Sequence, residues 1–294
     1  MTSAPPRARR STPRPTFTSP TVIRRDDAAH HVWGDDEGGL VTDRVIVSTT
    51  SLHALEFELP PGGEFRHSIL NPTVFAGDVL YFVLAGELVL ANPQTGEVAR
   101  VPAGTGRLFH RDTWHDGFNP GDATARVLEF FSPPPARGAA SEYARSRPGL
   151  EQAVYADTRW RGRWPEDRGL QQAASSFLAA DPGTGLLSFR DTRPTHLLST
   201  IVDTPYLRVA QGTVAPGHVE GFATVAAESL LVVTSGELWA DVWSEQDGYR
   251  ATSSLRAGDA MYLPVGCQER VLVRASDPAT YLRGWGEVPD GWQP

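Results

Sequence analysis

The sequence contains no lysine; all 27 basic residues among its 294 are arginine. Without a side-chain amine there is no Schiff-base chemistry and no lysine-bound cofactor. Cysteine occurs once, at Cys267, so an internal disulfide is excluded and the cytoplasm is the expected location. No apolar run approaches the roughly 18 residues that a membrane-spanning helix needs. Acids outnumber bases, for a net charge of −8, which argues against nucleic acid as a partner because phosphate attraction dominates such binding. Gly104-Thr105-Gly106 lacks the third glycine of a dinucleotide loop, so no nucleotide cofactor is expected. The first 25 residues are rich in Pro, Arg, Ser and Thr and carry no acid. They lack the apolar stretch of a secretory signal and are expected to form a disordered tail.

What is present is a repeat. Gly86-Glu87-Leu88 recurs as Gly236-Glu237-Leu238. Pro61-Gly62-Gly63 leads to His67, and Pro216-Gly217 leads to His218. An acid stands eight residues before each Gly-Glu glycine, Asp78 in one copy and Glu228 in the other. A spacing of this length is too long for a solenoid unit and suits a small domain.

Within each copy the runs are short, apolar and punctuated by Gly and Pro. Leu52 to Leu59 alternates as a half-buried strand does, and Asp78 to Ala91 is a long apolar strand interrupted at Gly86. The second copy repeats this with Leu207–Val214 and Leu230–Val242. Such patterns predict an all-β protein of two tandem antiparallel barrels. The predicted organisation is a tail over 1–25, an N-terminal barrel over 26–137, a connector over 138–194 and a C-terminal barrel over 195–294. The connector is the one region with helical character, notably Leu170 to Ala180, and it holds the Arg/Trp-rich run from Arg159 to Trp164.

The most specific pattern follows the Gly-Glu corner. In the first copy Gly104 is followed after five residues by His110-Arg111-Asp112, then by His115 and Asn119. In the second, Gly258 is followed by Pro264-Val265-Gly266 and then Glu269. Both resemble the second sequence motif of the cupins, Gly, five residues, Pro-x-Gly, two residues, His, three residues, Asn. The chain is thus similar to a bicupin, two cupin jelly rolls in one chain, and the resemblance covers about residues 40–135 and 195–286. It implies a metal in the barrel held by a His-x-His and a Glu from the first motif and a His from the second. His115 falls on the second-motif histidine and Glu269 on its counterpart. The first motif departs from the pattern: the glutamate position falls on Val79 and Ser229.

Two candidate metal sets follow. In the first barrel they are His67, Asp78 and His115, with His110 as a further ligand or general base. In the second they are His218, Glu228 and Glu269, with Glu220 alongside. Asp78 and Glu228 reach inward only if a shared β-bulge re-aims them. Two imidazoles and a carboxylate with open positions suit Fe²⁺ first, with Mn²⁺ or Zn²⁺ also acceptable. His110, His115 and Glu269 are the candidate catalytic groups, and Phe82, Phe109, Trp114, Phe118 and Phe130 the expected apolar wall of a first-barrel pocket. The leading reading is a metal-dependent enzyme acting on a small organic molecule, a dioxygenase by family analogy. The alternatives are an isomerase, cyclase or hydrolyase working by His/carboxylate proton transfer, and a barrel that binds without catalysis. A homodimer formed through edge strands is expected.

Overall fold

The structure, a computed structural model, describes residues 12–68, 71–133, 175–190, 194–246 and 248–286. The first half runs β1 (Thr21–Ile23), β2 (Ala29–Asp35), β3 (Gly39–Ser48), β4 (His53–Leu59), β5 (Glu64–Phe65) and β6 (Asp78–Ala85). It continues with β7 (Glu87–Ala91), β8 (Val98–Pro102), β9 (Gly106–Phe109), β10 (Asp116–Phe118) and β11 (Ala125–Ser132). The second half runs β12 (Leu178–Ala180), β13 (Leu186–Phe189), β14 (His196–Asp203), β15 (Arg208–Val214), β16 (Ala223–Thr224) and β17 (Ser229–Ser235). It ends with β18 (Glu237–Ser244), β19 (Tyr249–Arg256), β20 (Ala260–Leu263), β21 (Gln268–Leu272) and β22 (Ala279–Trp285).

Each half folds as a seven-stranded sheet facing a four-stranded one, the expected pair of antiparallel barrels. The first pairs β12-β9-β6-β11-β4-β3-β2 with β5-β10-β7-β8, the second β1-β20-β17-β22-β15-β14-β13 with β16-β21-β18-β19. Strand alternation then divides the side chains. On β6, Val79, Tyr81 and Val83 fill the first barrel, while Leu80 and Phe82 face the other way. On β17, Leu231 and Val233 fill the second barrel, while Leu230 and Val232 face out. The two outward sets meet, with Leu128, Phe130, Val209 and Leu282, in one apolar seam between the large sheets. The seam is tight: a Cβ on Gly284 would come within 2.4 Å of the Phe130 ring.

The Gly-Glu corners take the left-handed backbone that glycine tolerates, with φ of 73° at Gly86 and 74° at Gly236. They end β6 and β17 and let the chain cross to the small sheet.

Two expectations need correction. The tail does not extend to Arg25. Thr21–Ile23 pairs with β20 of the second barrel, so the N-terminal arm completes a sheet in the far half of the chain. Nor is the connector helical where it is described: Leu178–Ala180 is strand β12, paired with β9. Strand β9 presents a free edge there, and ladder hydrogen bonds to it outweigh the weak helix preference of the alanines. The Arg159–Trp164 run and Leu170 to Ala174 lie outside the described residues.

Candidate metal centre in the second barrel

Three side chains of the second barrel converge. Histidine 196 opens β14 on the same face as Leu198, a barrel-core residue. His218 and Glu220 follow the turn at Pro216-Gly217, in a segment bridged to β21 through Val219 and Leu272. Their ligand atoms all lie within 4.8 Å of one another, and His196, His218 and Glu220 are buried. Glu220 Oε2 lies 3.0 Å from His196 Nδ1 and 3.4 Å from His218 Nε2.

Every other polar atom of the three is held. The Tyr281 hydroxyl sits 2.7 Å from His196 Nε2, and the Thr195 hydroxyl 2.8 Å from His218 Nδ1. The backbone N–H of Val271 donates to Glu220 Oε1 at 3.0 Å. Each ring therefore turns one nitrogen toward Glu220 while a hydroxyl fixes the other. Outer partners of this kind orient metal-ligating histidines.

The donor set fits a divalent ion. Two bonds of about 2.1 Å to one ion place their donor atoms about 3 to 4 Å apart, depending on the angle between them, and the two carboxylate–imidazole separations of 3.0 and 3.4 Å fall in that range. Burial holds His196 below its usual range despite the opposing pull of Glu220, so the imidazole is neutral, and an ion would take Nδ1 in place of the proton that this nitrogen shares with Glu220. Burial would raise the Glu220 carboxyl, but the His196 hydrogen bond and the Arg190 charge outweigh it and keep the group ionised.

Beside this triad the barrel holds a fixed cation. Arg283 donates to Ser229 Oγ through Nε at 3.1 Å and Nη2 at 2.9 Å, and to the Glu269 carboxylate through Nη1. Ser229 and Glu269 stand where the cupin resemblance assigns the glutamate and second-motif histidine. The Arg283 guanidinium thus lies between the two residues on which the resemblance leads one to expect metal ligands. Arg190, after β13, adds a second bond to Glu269 at 2.7 Å and comes within 3.6 Å of Glu220. Burial would raise Glu269, yet Arg283 and Arg190 hold it at about 2. A carboxylate clamped by two guanidiniums is poorly placed to ligate a metal or to act as a base.

The first barrel does not assemble its expected set. His115 is there, fully enclosed by Phe65, Phe75, Tyr81 and Phe109. Its nitrogens meet the Tyr81 hydroxyl and the Thr113 carbonyl, both at 3.2 Å, and burial pushes it down to about 4. His67 packs edge-on against Trp114 with ring centroids 4.7 Å apart. It is not the counterpart of His218. Gly62 donates to Asn119 and Asn119 to Gly63, just as Gly217 donates to Val273 and Val273 to His218. The residue matching His218 is Gly63, and the one matching Glu220 is Phe65, whose ring helps fill the barrel.

The bulge expected to turn Asp78 and Glu228 inward is absent. Asp78 pairs in unbroken register with Ser132 and accepts from His110 Nδ1 at 3.0 Å. Glu228 precedes Ser229 in a regular ladder and accepts from Thr49 of the first half. Neither carboxylate joins the triad. Phe82 and Phe130 line the seam instead of a pocket, and Phe118 is exposed. His196 escaped sequence reading because it lies in no motif; the only available signal was its two-residue spacing from Leu198 at the start of a strand.

No family model matches the chain, and no curated protein matches it. Solved structures do. A protein from Pseudomonas aeruginosa described as glyoxylate-induced aligns with a TM-score of 0.64 at 15% identity, covering 99% of this chain and 96% of that one. Lactobacillus farciminis oxalate decarboxylase, in a formate complex, gives 0.61 at 14%, covering 94% and 88%. AerE from Microcystis aeruginosa gives 0.57 at 11%, covering 88% and 97%. At these identities the likeness is one of fold, and it spans both barrels.

Proposed function

Given the two-barrel cupin fold and a buried His/His/Glu group in its second barrel, we propose that this chain is a divalent-metal-dependent enzyme acting on a small organic acid. The observation that carries the reading is the triad itself: His196 Nδ1, His218 Nε2 and Glu220 Oε2 with their remaining nitrogens and oxygen already engaged. Two imidazoles and one carboxylate with open positions are the donor set of non-haem Fe²⁺ oxygenases, and Mn²⁺ would be accepted by the same atoms. When bound, such an ion supplies Lewis acidity and, as Fe²⁺, access to dioxygen chemistry.

The chain's own residues do the rest. Tyr281 and Thr195 orient the two rings. Arg283 and Glu269 neutralise each other inside the barrel. Arg190, whose side chain is 14% exposed, is the cation nearest solvent and the group placed to receive an anionic substrate. Counting Glu220, Glu269, Arg190 and Arg283, the fixed charges cancel, so a divalent ion leaves the site at about +2 and selects an anion. Oxalate decarboxylase among the structural neighbours acts on such an acid.

A second reading rests on the Tyr281–His196–Glu220 chain, a hydrogen-bonded relay that could transfer protons without a metal, as in an isomerase or hydrolyase. One assay separates the two. The protein is loaded anaerobically with Fe²⁺ or Mn²⁺ and presented with a panel of small mono- and dicarboxylates, following both substrate loss and oxygen uptake. The metal reading predicts turnover that a strong chelator abolishes and fresh ion restores. Turnover that is indifferent to the chelator contradicts it and favours the relay.

A further inference from the structure

Strand β15 carries a glycine where its neighbours carry bulk. Gly212 pairs with Leu198 of β14 on one side and with Tyr281 of β22 on the other. Leu198, Tyr281 and Val214, two residues along from Gly212, all fill the interior of the second barrel. A glycine inside an inner strand weakens it, and often marks a place where another group approaches the backbone closely. Here that group is a ring. A Cβ on Gly212 would lie 2.2 Å from Tyr281 Cζ and 2.6 Å from the Tyr281 hydroxyl oxygen. The φ of Gly212 is not positive, so space, and not backbone conformation, is what requires glycine.

Strand β15 lies between β22 and β14, so Tyr281 has to cross it to reach His196. It crosses at Gly212, and its hydroxyl stands 2.7 Å from His196 Nε2 with the ring centroids 5.8 Å apart. The first barrel is an internal control. The corner glycines fix the correspondence, since Gly86 abuts Ala125 as Gly236 abuts Ala279. Ala125 pairs with Leu59 and Ala279 with Val214, so Gly212 matches Phe57 and Tyr281 matches Val127. Phe57 pairs with Asp43 as Gly212 pairs with Leu198, so His196 matches Val41. Where the histidine is absent, so are the tyrosine and the glycine.

We propose that Gly212 is a positioning residue of the candidate metal centre: the space over its backbone seats the Tyr281 ring, and the seated hydroxyl holds His196 with Nδ1 toward Glu220. This role in metal binding rests on the metal-dependent reading proposed above. In a Gly212→Ala chain the clash falls on the tip of a ring, which can swing about its side-chain torsions, whereas β15 and β22 cannot separate without breaking their ladder. The variant should therefore fold with the ring displaced and the bond to His196 lost.

The test uses the full chain as native protein, Gly212→Ala, Tyr281→Phe and both changes together. Mn²⁺ affinity is read by competition with a chromogenic chelator. The His196 ring nitrogens are read by their NMR chemical shifts in the metal-free protein, assigned with His196→Ala. Expected are a loss of about 10–100-fold in affinity for Gly212→Ala, no further loss when it is added to Tyr281→Phe, and a moved Nε2 signal. Native affinity in Gly212→Ala, losses that add in full, or an unmoved Nε2 signal would overturn the role of Gly212. A native protein that binds no Mn²⁺ contradicts the proposed function instead, and the Nε2 signal then decides the seating alone. Should Gly212→Ala fail to fold, it is placed on Tyr281→Val, which carries the first-barrel side chain. Its urea midpoint should be no lower than that of Tyr281→Val by itself, and a lower one overturns the seating.

Discussion

At the scale of single residues, the second barrel is organised by which partner each polar atom takes. Tyr281 matters through one hydroxyl: it fixes His196 so that Nδ1 faces Glu220. Tyr281→Phe removes that bond and little volume. Its expected effect is a loss of about 10–100-fold in metal affinity, the usual cost of losing an outer partner, measured by competition with a chromogenic chelator. Introduced on top of His196→Ala it should cost nothing more, because the ring it orients is gone. Glu269 is a different case. Buried and clamped by Arg190 and Arg283, it stabilises two guanidiniums, and Glu269→Gln should destabilise the fold by about 3–5 kcal/mol, readable in urea unfolding. A variant as stable as the native protein would show that the clamp contributes nothing.

Residue identity also sets what the sequence could reveal. His218 and Glu220 lie close together after a Pro-Gly turn, and Glu269 sits in a recognisable motif, so all three were visible. His196 was not, because a strand-opening histidine carries no spacing signal. The misleading match of His67 with His218 arose because both follow a Pro-Gly turn at nearly the same offset. Only the hydrogen bonds of Gly63 and Asn119 show that the two strands are in a different register. Asp112 was also informative in retrospect: it adopts φ 65°, as Gly266 adopts 89° at the matching turn, so the turn persisted after the glycine was lost.

At the scale of elements, alternation was legible and pairing partners were not. The apolar period of two placed the strands and the Gly-Glu corners, since strand faces and left-handed turns are local properties. That β1 crosses to β20 and β12 returns to β9 depends on free edges created elsewhere in the chain, which no local pattern records. The crossing makes the seam a mechanical feature. Gly284→Ala, whose Cβ would meet the Phe130 ring at 2.4 Å, forces the large sheets apart. It should cost about 1–3 kcal/mol, seen as a lowered denaturation midpoint with an unchanged slope. A neutral effect would mean that the barrels slide freely on each other.

At the scale of the whole molecule, the two barrels differ in what fills their interiors. The second holds the His196, His218 and Glu220 group beside two arginines, while the first is filled with aromatics around His115 and encloses two carboxyls. Asp43 and Glu129 are buried there, and burial raises both to about 8 from 3.8 and 4.5. The folded state holds their protons more tightly than the unfolded chain, so stability falls as pH climbs from the unfolded values toward 8. His53 and His115, lowered by burial to about 4 from 6.5, act in the opposite sense, adding stability as pH rises from about 4 to 6.5. Below pH 6.5 the two pairs oppose each other. Between 6.5 and about 8 only the carboxyls remain, and stability should decline by up to about 1.4 kcal/mol per pH unit for each proton. The double variant Asp43→Asn, Glu129→Gln should flatten that decline when unfolding is compared at the two ends of this window; an identical decline in the variant would contradict the assignment.

The central claim is the proposed one, that a metal bound by this chain sits in the second barrel on His196, His218 and Glu220. The most direct test is metal content per chain after loading with Mn²⁺ and exhaustive desalting, for the native protein and for His196→Ala, His115→Ala and Glu269→Gln. The account predicts close to one ion in the native protein, near zero in His196→Ala, and retention in both His115→Ala and folded Glu269→Gln. Loss of metal in His115→Ala with retention in His196→Ala would place the centre in the first barrel, and a native protein that holds no ion would remove it altogether.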